Sequence, residues 1–231
     1  MTVLPLQSFG LGDVVFSMTL IKRIANGNPI VWGVMPHFVE GLNRAYPDVT
    51  FVDWTKLGID YNTKQHKEIY HAEYGLCTIV PIRWADSIMK VGYEQWMRSK
   101  YDMYGMDYRD WKEHAMWVRD DAKETALSKL VGNSDTFVND MFGSDCKLKS
   151  NVPTFLNATK MRVIDGYSLF DWASVMQKAK HIHSVNTSII YLLDQLELNA
   201  KYVHLYQRAI KSQTHKGVDY LINKHNYIYH G

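Results

Sequence analysis

The chain has 231 residues, of which 46% are hydrophobic and 22% are charged, and its formal net charge is +2. This composition can form one large or two small hydrophobic cores, and it excludes a strongly basic protein of the histone type. No apolar run reaches the roughly 18 residues of a membrane-spanning helix, and the N-terminus lacks the pattern of a signal peptide. Cys77 and Cys146 have no cysteine partner at a local disulfide or zinc spacing, so a cytoplasmic protein is expected.

The first half of the chain alternates short apolar segments with amphipathic ones. Apolar residues recur at near-helical spacing from Val14 to Ile24, which predicts a helix that ends at Asn26 and Gly27. A shorter helix is predicted over residues 38–46. Strands are predicted at residues 3–7, 30–34, 49–52 and 76–82. Because these strands are continuously apolar, they indicate a parallel sheet that is covered on both faces.

The middle of the chain is predicted to be helical over residues 86–103 and 108–130. Asp107 is a candidate cap for the second of these helices, and Gly132 lies just past its end. We interpret this region as a bridge between two lobes. The alternative is a single domain that carries a long helical insertion.

The second half of the chain resumes the alternation of strands and helices. Strands are predicted at residues 136–139, 161–164, 181–185 and 202–206, and helices after Ser168, after Asn186 and over residues 218–227. Asp171 follows Ser168 by three residues, which is the spacing of a capping box. The whole pattern predicts an α/β protein of two Rossmann-like lobes, residues 1–105 and 106–231, with mainly parallel sheets and a helical middle segment.

A glycine-containing turn joins the first predicted strand to the first helix. Gly10, Leu11 and Gly12 precede Asp13, so a carboxylate lies at the carboxyl end of a strand, where α/β sheets bind their ligands. The turn is neither the dinucleotide fingerprint nor a P-loop, because the required glycine and lysine positions are absent. Asp13 is therefore a candidate general base, and the alternative is that it caps the helix.

A second polar turn follows the strand predicted at residues 181–185. Asn186, Thr187 and Ser188 place an amide and two hydroxyls at the start of a helix, which is a candidate seat for a diphosphate. Tyr191 lies one turn further on, where it is expected to meet a base or a sugar. The alternative is an ordinary helix cap formed by Asn186 or Thr187.

Other polar residues are weaker candidates for a ligand site. Arg83 and Arg98 are candidate partners for a phosphate or carboxylate. His181 and His183 lie on one face of a predicted strand, either as a metal pair or as packed histidines. The C-terminal segment is basic and aromatic, and its cations are Lys201, Arg208, Lys211, Lys216 and Lys224. Such a segment can bind along the phosphate backbone of a nucleic acid, and the alternative is a solvated final helix.

Taken together, the two turns resemble motifs of the heptosyltransferase-like GT-B glycosyltransferases, over residues 3–55 and 160–206. Gly12 and Asp13 resemble the Gly-Asp pair that leads the first helix of that family's acceptor lobe. The stretch from Ser168 to Ser188 resembles its donor-lobe signature. The resemblance implies that residues 1–105 form the acceptor-side lobe and residues 106–231 a trimmed donor-side lobe with a C-terminal helix.

The resemblance also implies roles for single residues. Asp13 matches the proposed base, Thr187 and Ser188 match the turn that holds the diphosphate, and Ser168 matches the start of the helix beside the nucleotide. This chain departs from the family at three positions of the donor side, where aspartate, glycine and histidine are common: Asn186, Ser188 and Tyr191.

The implied activity is transfer of a hexose or pentose from a nucleotide-sugar donor to a hydroxyl acceptor, with inversion and without a metal. The nucleotide sugar is a co-substrate, and no cofactor is expected. The acceptor is a glycan, a small metabolite or a hydroxymethylated base in phage DNA. The last is included because abundant Lys, Asn, Tyr and Met suggest an AT-rich genome, such as that of many phages, and some phages glycosylate their own DNA. The alternatives are a catalytically silent module that binds a nucleotide or sugar, and an interaction domain that uses the aromatic middle segment.

Overall fold

The structure is a computed structural model that describes residues 1–7, 10–82, 95–132, 134–142, 148–208 and 220–230. The chain divides into two compact units, Met1–Val118 and Arg119–Gly231. Each unit contains a mainly parallel β-sheet with helices, as predicted for an α/β protein.

In its described part, the first unit contains five strands and three α-helices. The elements are β1 (Thr2–Leu6), α1 (Leu11–Ala25), β2 (Val31–Val34), α2 (Val39–Ala45), β3 (Thr50–Asp53), β4 (Lys67–His71), β5 (Gly75–Pro81) and α3 (Trp96–Asp102). β1 pairs with β5 and β2 pairs with β3, both in parallel. A parallel bridge from Val3 to Ile30 joins the two pairs, and β4 is an antiparallel edge strand beside β5.

Local sequence explains the principal elements of this unit. The residues of β1 from Val3 to Leu6 are all buried, as its continuous apolar pattern predicts. α1 ends where predicted, because Asn26 and Gly27 both adopt the left-handed backbone, with φ of 46° and 83°. β4 was not predicted, because its exposed side chains give it no continuous apolar run.

The helical middle segment was predicted wrongly over residues 108–120. Only a short 3₁₀ turn forms there, at Tyr108–Asp110, with Asp107 as its cap. The chain then packs against the first unit: the Thr19 hydroxyl donates to the Trp111 carbonyl at 2.6 Å, and the Tyr46 hydroxyl donates to the Ala115 carbonyl at 2.7 Å. These contacts place the boundary between units at 118/119, rather than at the predicted 105/106.

The second unit contains a five-stranded sheet in which all strands are parallel, in the order β12-β11-β10-β6-β9. β7 and β8 form a separate antiparallel pair. The elements are α4 (Asp121–Val131), β6 (Thr136–Asn139), β7 (Met141–Phe142), β8 (Leu148–Lys149), β9 (Thr159–Lys160), α5 (Ala173–Lys178), β10 (His181–Val185), α6 (Ile189–Leu193), β11 (Val203–Tyr206) and β12 (Tyr227–His230).

Caps define the helices of this unit. The Asp120 carboxylate accepts from the Lys123 amide at 3.0 Å at the start of α4, and Gly132 follows the end of α4 with a φ of 74°. The predicted capping box is present: the Ser168 amide donates to Asp171 Oδ2 at 2.6 Å. It begins a 3₁₀ turn, Leu169–Trp172, that leads directly into α5.

Two predictions in the second unit were wrong. The strand predicted at residues 161–164 lies at Thr159–Lys160 instead. The final helix predicted over residues 218–227 is absent from the part that is described, residues 220–227, which lead by turns into β12. Buried Asp194 explains this path, because its carboxylate accepts from the Lys224 amide at 2.9 Å and from the Tyr227 hydroxyl at 2.6 Å.

None of the helices within the described ranges has the length and apolar character that a membrane crossing requires.

Candidate active site

The carboxyl edge of the first sheet has a topological switch point between β1 and β5. From β1 the chain proceeds to β2 and β3 on one side, and then to β4 and β5 on the other. Open α/β sheets bind ligands outside the carboxyl ends of strands at such a point. Because α1 begins at Leu11, directly after β1, Asp13 lies at this edge.

Asp13 occupies the third position of α1, whereas Gly10 is the N-cap residue. Gly10 has a φ of 82°, and a Cβ atom added to it would lie 2.5 Å from Asp13 Oδ2. The carboxylate therefore lies against the Gly10 Cα, in the space that the side chain of any other residue at position 10 would occupy. The alternative in which Asp13 is the helix cap is not what the structure shows, although its charge is near the positive end of α1.

Lys100 of α3 contacts this carboxylate and was not predicted as a site residue. Its ammonium forms an ion pair with Asp13 Oδ1; the Lys100 side chain is 0% exposed and that of Asp13 is 27% exposed. The two residues are 87 positions apart, so no local motif joins them. One signal was available in the sequence: Lys100 lies between Met97 and Tyr101 on a helix face that is otherwise apolar and buried.

Arg83 and Arg98 were the two arginines predicted to bind a phosphate or carboxylate. Arg83 lies outside the described residues. Arg98 is half exposed and donates from Nε to Asp102 Oδ2 at 3.1 Å, one helical turn away. Its guanidinium also lies 5.4 Å from the centre of the Tyr108 ring, so it is occupied by neighbours in its own unit.

The second sheet has its switch point between β6 and β10. The chain proceeds from β6 to β9 on one side and then crosses to β10, β11 and β12 on the other. This places the predicted turn at Asn186, Thr187 and Ser188 directly at the switch point, since the turn follows β10.

Asn139, the last residue of β6, joins this turn and was missed by the sequence prediction. Its amide nitrogen donates to the Ser184 hydroxyl at 3.1 Å and to the Thr187 hydroxyl at 3.4 Å. Asn139 and Ser184 are buried, whereas Asn186, Thr187 and Ser188 are partly exposed. These five residues form a polar patch, in which the buried Asn139 holds the hydroxyl of the partly exposed Thr187.

Arg208 brings a cation to the same turn. Its Nε donates to the backbone carbonyl of Asn186 at 2.7 Å, and the backbone N–H of Asn186 in turn donates to the Tyr206 carbonyl at 3.1 Å. The guanidinium also lies 5.7 Å from the centre of the Phe142 ring. Arg208 was predicted only as part of the basic C-terminal segment, so its place beside the turn comes from the pairing of β10 with β11.

Two of the predicted donor-side residues make structural contacts. Tyr191 is 4% exposed and packs in the core, as do the other residues of α6, Ile189–Leu193. The Ser168 hydroxyl donates to Asp171 Oδ2 at 2.9 Å, so its role in the structure is the capping box.

Three histidines and Tyr206 stack on one face of the second sheet. His183 Nδ1 lies 3.0 Å from the Tyr206 hydroxyl, and the His183 and His204 rings stack with their centres 4.6 Å apart. Burial, together with nearby His204, His181 and His230, lowers the pKa of His183 to about 4. His183 is therefore a packed histidine, and within the described ranges no three His, Cys, Asp or Glu side chains are placed to share a metal ion.

Comparison with known proteins identifies similarity in fold. No protein-family model matches the chain, and no curated protein sequence is similar to it. The structure is similar to that of the bacterial iron-containing dodecameric glycosyltransferase TibC from enterotoxigenic E. coli, with a TM-score of 0.50 and 11% sequence identity. The alignment covers 89% of this chain but 57% of TibC, so the chain spans little more than half the length of that protein.

A glycosyl transferase of family 9 from Veillonella parvula also matches, with a TM-score of 0.48 and 7% identity, over 99% of this chain and 86% of that one. The likeness to TibC confirms the GT-B-like α/β fold that was predicted from the two turns.

Proposed function

We propose that the protein is a glycosyltransferase that moves a sugar from a nucleotide-sugar donor to a hydroxyl acceptor. The observation that carries the proposal is that, in a GT-B-like fold, Asp13 and the turn at residues 186–188 each lie at the switch point of their own sheet. The sequence resemblance had assigned these same two places to the base and the donor diphosphate.

On the acceptor side, Asp13 is the proposed general base. A sugar hydroxyl is a weak nucleophile at neutral pH, so a carboxylate that accepts its proton accelerates transfer by about 10²–10⁴-fold. Asp13 is partly exposed and is joined to a buried cation. These two features support the role, because a base needs access to its substrate and a defined orientation.

On the donor side, the proposed diphosphate seat is formed by the partly exposed Asn186, Thr187 and Ser188 together with Arg208. Asn139 and Ser184 lie buried beneath this turn. Hydroxyl, amide and guanidinium groups can donate hydrogen bonds to phosphate oxygens. Arg208 also offers positive charge for the departing nucleoside diphosphate. Inversion in a single displacement, without a metal ion, is part of the proposal and rests on the sequence resemblance.

The test is incubation with a panel of nucleotide sugars and acceptors, with and without a chelator. Acceptors include a glycan, small metabolites and DNA that carries hydroxymethylated bases. Transfer that is unaffected by the chelator supports both the glycosyltransferase activity and its metal independence. Transfer that stops with the chelator retains the glycosyltransferase and removes metal independence, and no turnover of any donor contradicts the enzymatic function.

A second candidate is a module that binds a nucleotide or sugar without turnover. The observation that favours it is the donor side itself, where α6 has five residues and Tyr191 is buried. Calorimetry with the same donors separates the two functions. Binding of a donor that is never hydrolysed or transferred would support the module.

A further inference from the structure

Lys100 is a buried lysine with a charged partner at the proposed active site. Its side chain is 0% exposed, and its ammonium contacts Asp13 Oδ1. A buried ammonium without an anion is strongly unfavourable, because its hydration is lost and nothing replaces it. The ion pair with Asp13 therefore holds a carboxylate beside this cation.

The two oxygens of Asp13 have different surroundings. Oδ1 contacts the Lys100 ammonium, whereas Oδ2 lies over the Gly10 Cα, 2.5 Å from where a Cβ atom would be. Contacts on both sides restrict rotation of the carboxylate about its Cβ–Cγ bond. Lys100 itself is fixed, because Met97 and Tyr101 on the same face of α3 are also buried.

We infer that Lys100 is a positioning residue for Asp13, which it holds by Oδ1 so that Oδ2 receives the acceptor proton. This inference rests on the proposed function. The acceptor O–H bond breaks and its proton passes to Oδ2, while the acceptor oxygen bonds to the anomeric carbon of the sugar. The bond from that carbon to the donor diphosphate breaks, and its electron pair leaves with the nucleoside diphosphate.

The inference is tested with Lys100→Met, which removes the charge and keeps a similar length. We expect kcat to fall about 10- to 100-fold, as for other losses of alignment, while the KM for the donor changes less than about twofold. In an Asp13→Asn background the same change should lower kcat no further, because the group that Lys100 positions is already gone.

The matched control is Lys22→Met. Lys22 also forms an ion pair in the first unit, with Asp48 Oδ2 at 2.6 Å, and it lies nine positions after Asp13 in α1. The control should retain wild-type kcat. A loss in Lys100→Met that persists undiminished in the Asp13→Asn background would show a general structural effect and overturn the inference.

Lys100→Arg provides the second variant if Lys100→Met does not fold. It retains the charge but displaces the nitrogen atoms, so an intermediate kcat at unchanged donor KM is expected. Wild-type kcat in Lys100→Arg, or in a folded Lys100→Met, overturns the positioning role and leaves the proposed function intact. Absence of transfer by the wild-type protein contradicts the proposed function itself, so the two failures are distinguishable.

Discussion

Asp13 illustrates how a single residue combines a local and a distant requirement. Its place in the first turn of α1 follows from the Gly10–Gly12 turn, which is visible in the sequence. Its ion pair depends on α3, 87 residues later. The first feature makes it a candidate base, and the second gives the carboxylate a defined orientation.

Asp13→Asn separates a catalytic from a structural role. If Asp13 is the base, kcat should fall by about 10²–10⁴-fold while donor affinity, measured by calorimetry, stays nearly unchanged. The amide cannot accept the proton at neutral pH but has almost the same shape. Near-normal turnover in the folded variant would contradict the role of Asp13 and direct the search for a base to the histidines.

Gly33 of β2 predicts a stability effect that does not involve the active site. A Cβ atom there would lie 1.9 Å from the Tyr61 hydroxyl and 2.7 Å from Leu57 Cδ1. Gly33→Ala should therefore lower the free energy of unfolding, by about 1–3 kcal/mol as in other overpacked cores, in a urea titration.

The companion variant for this prediction is Gly33→Ala combined with Tyr61→Phe. Removing the hydroxyl removes the closest contact, so part of the lost stability should return relative to Tyr61→Phe alone. Equal losses with and without the hydroxyl would mean that the clash with Tyr61 is not the cause.

At the scale of the element, the helix that follows the turn at residues 186–188, α6, has only five residues. A helix as short as α6 has a small dipole, so an anion there would be held mainly by side chains and the Arg208 guanidinium. The polar patch does not depend on the length of this helix, because its buried members lie at the ends of strands. Asn139 and Ser184 are register partners in the adjacent parallel strands β6 and β10.

The Thr187→Ala, Ser188→Ala double variant tests the turn at residues 186–188 as the diphosphate seat. Binding of a nucleoside diphosphate should weaken by about 1–3 kcal/mol in calorimetry, which is the scale of hydrogen bonds to charged groups. Thr50→Ala, at an exposed position of β3 in the other unit, is the control. Unchanged affinity in the double variant excludes the seat.

At the scale of the molecule, the stacked imidazoles couple the second unit's stability to pH. The pKa values of His183 and His204 are lowered, mainly by burial and then by neighbouring histidines, among them His181 and His230. The fold therefore favours the neutral rings. Their contribution to stability is complete above the unfolded pKa of about 6.5 and is lost as the pH falls toward about 4, the folded pKa of His183.

This dependence is measured by urea unfolding between about pH 4 and pH 8. We expect wild-type stability to fall on the acid side more steeply than that of His183→Gln, which lacks one of the lowered pKa values. The control is His37→Gln, since His37 lies exposed on a short turn of the first unit. Parallel curves for wild type and His183→Gln would contradict the prediction.

The sequence by itself determined most of the local structure. Continuous apolar runs identified β1, β2, β3 and β5, because a strand buried on both faces needs an apolar side chain at nearly every position. The alternation of strands and helices identified β6, β10 and β11. Glycine and capping signals located the ends of α1 and the start of the Ser168 turn, since these depend on the conformation of a few neighbouring residues. The same local signals identified Asp13 and the turn at residues 186–188.

Only the tertiary structure decided which residues surround those two places. Lys100, Asn139 and Arg208 reach them through packing of α3 and pairing of parallel strands, contacts between positions far apart in the chain. Aromatic and charged residues in the middle segment allowed a helical pattern, yet residues 111–118 instead follow hydrogen bonds to α1 and α2. Similarly, β12 forms because buried Asp194 binds the backbone of the segment before it, and local propensity does not include such a partner.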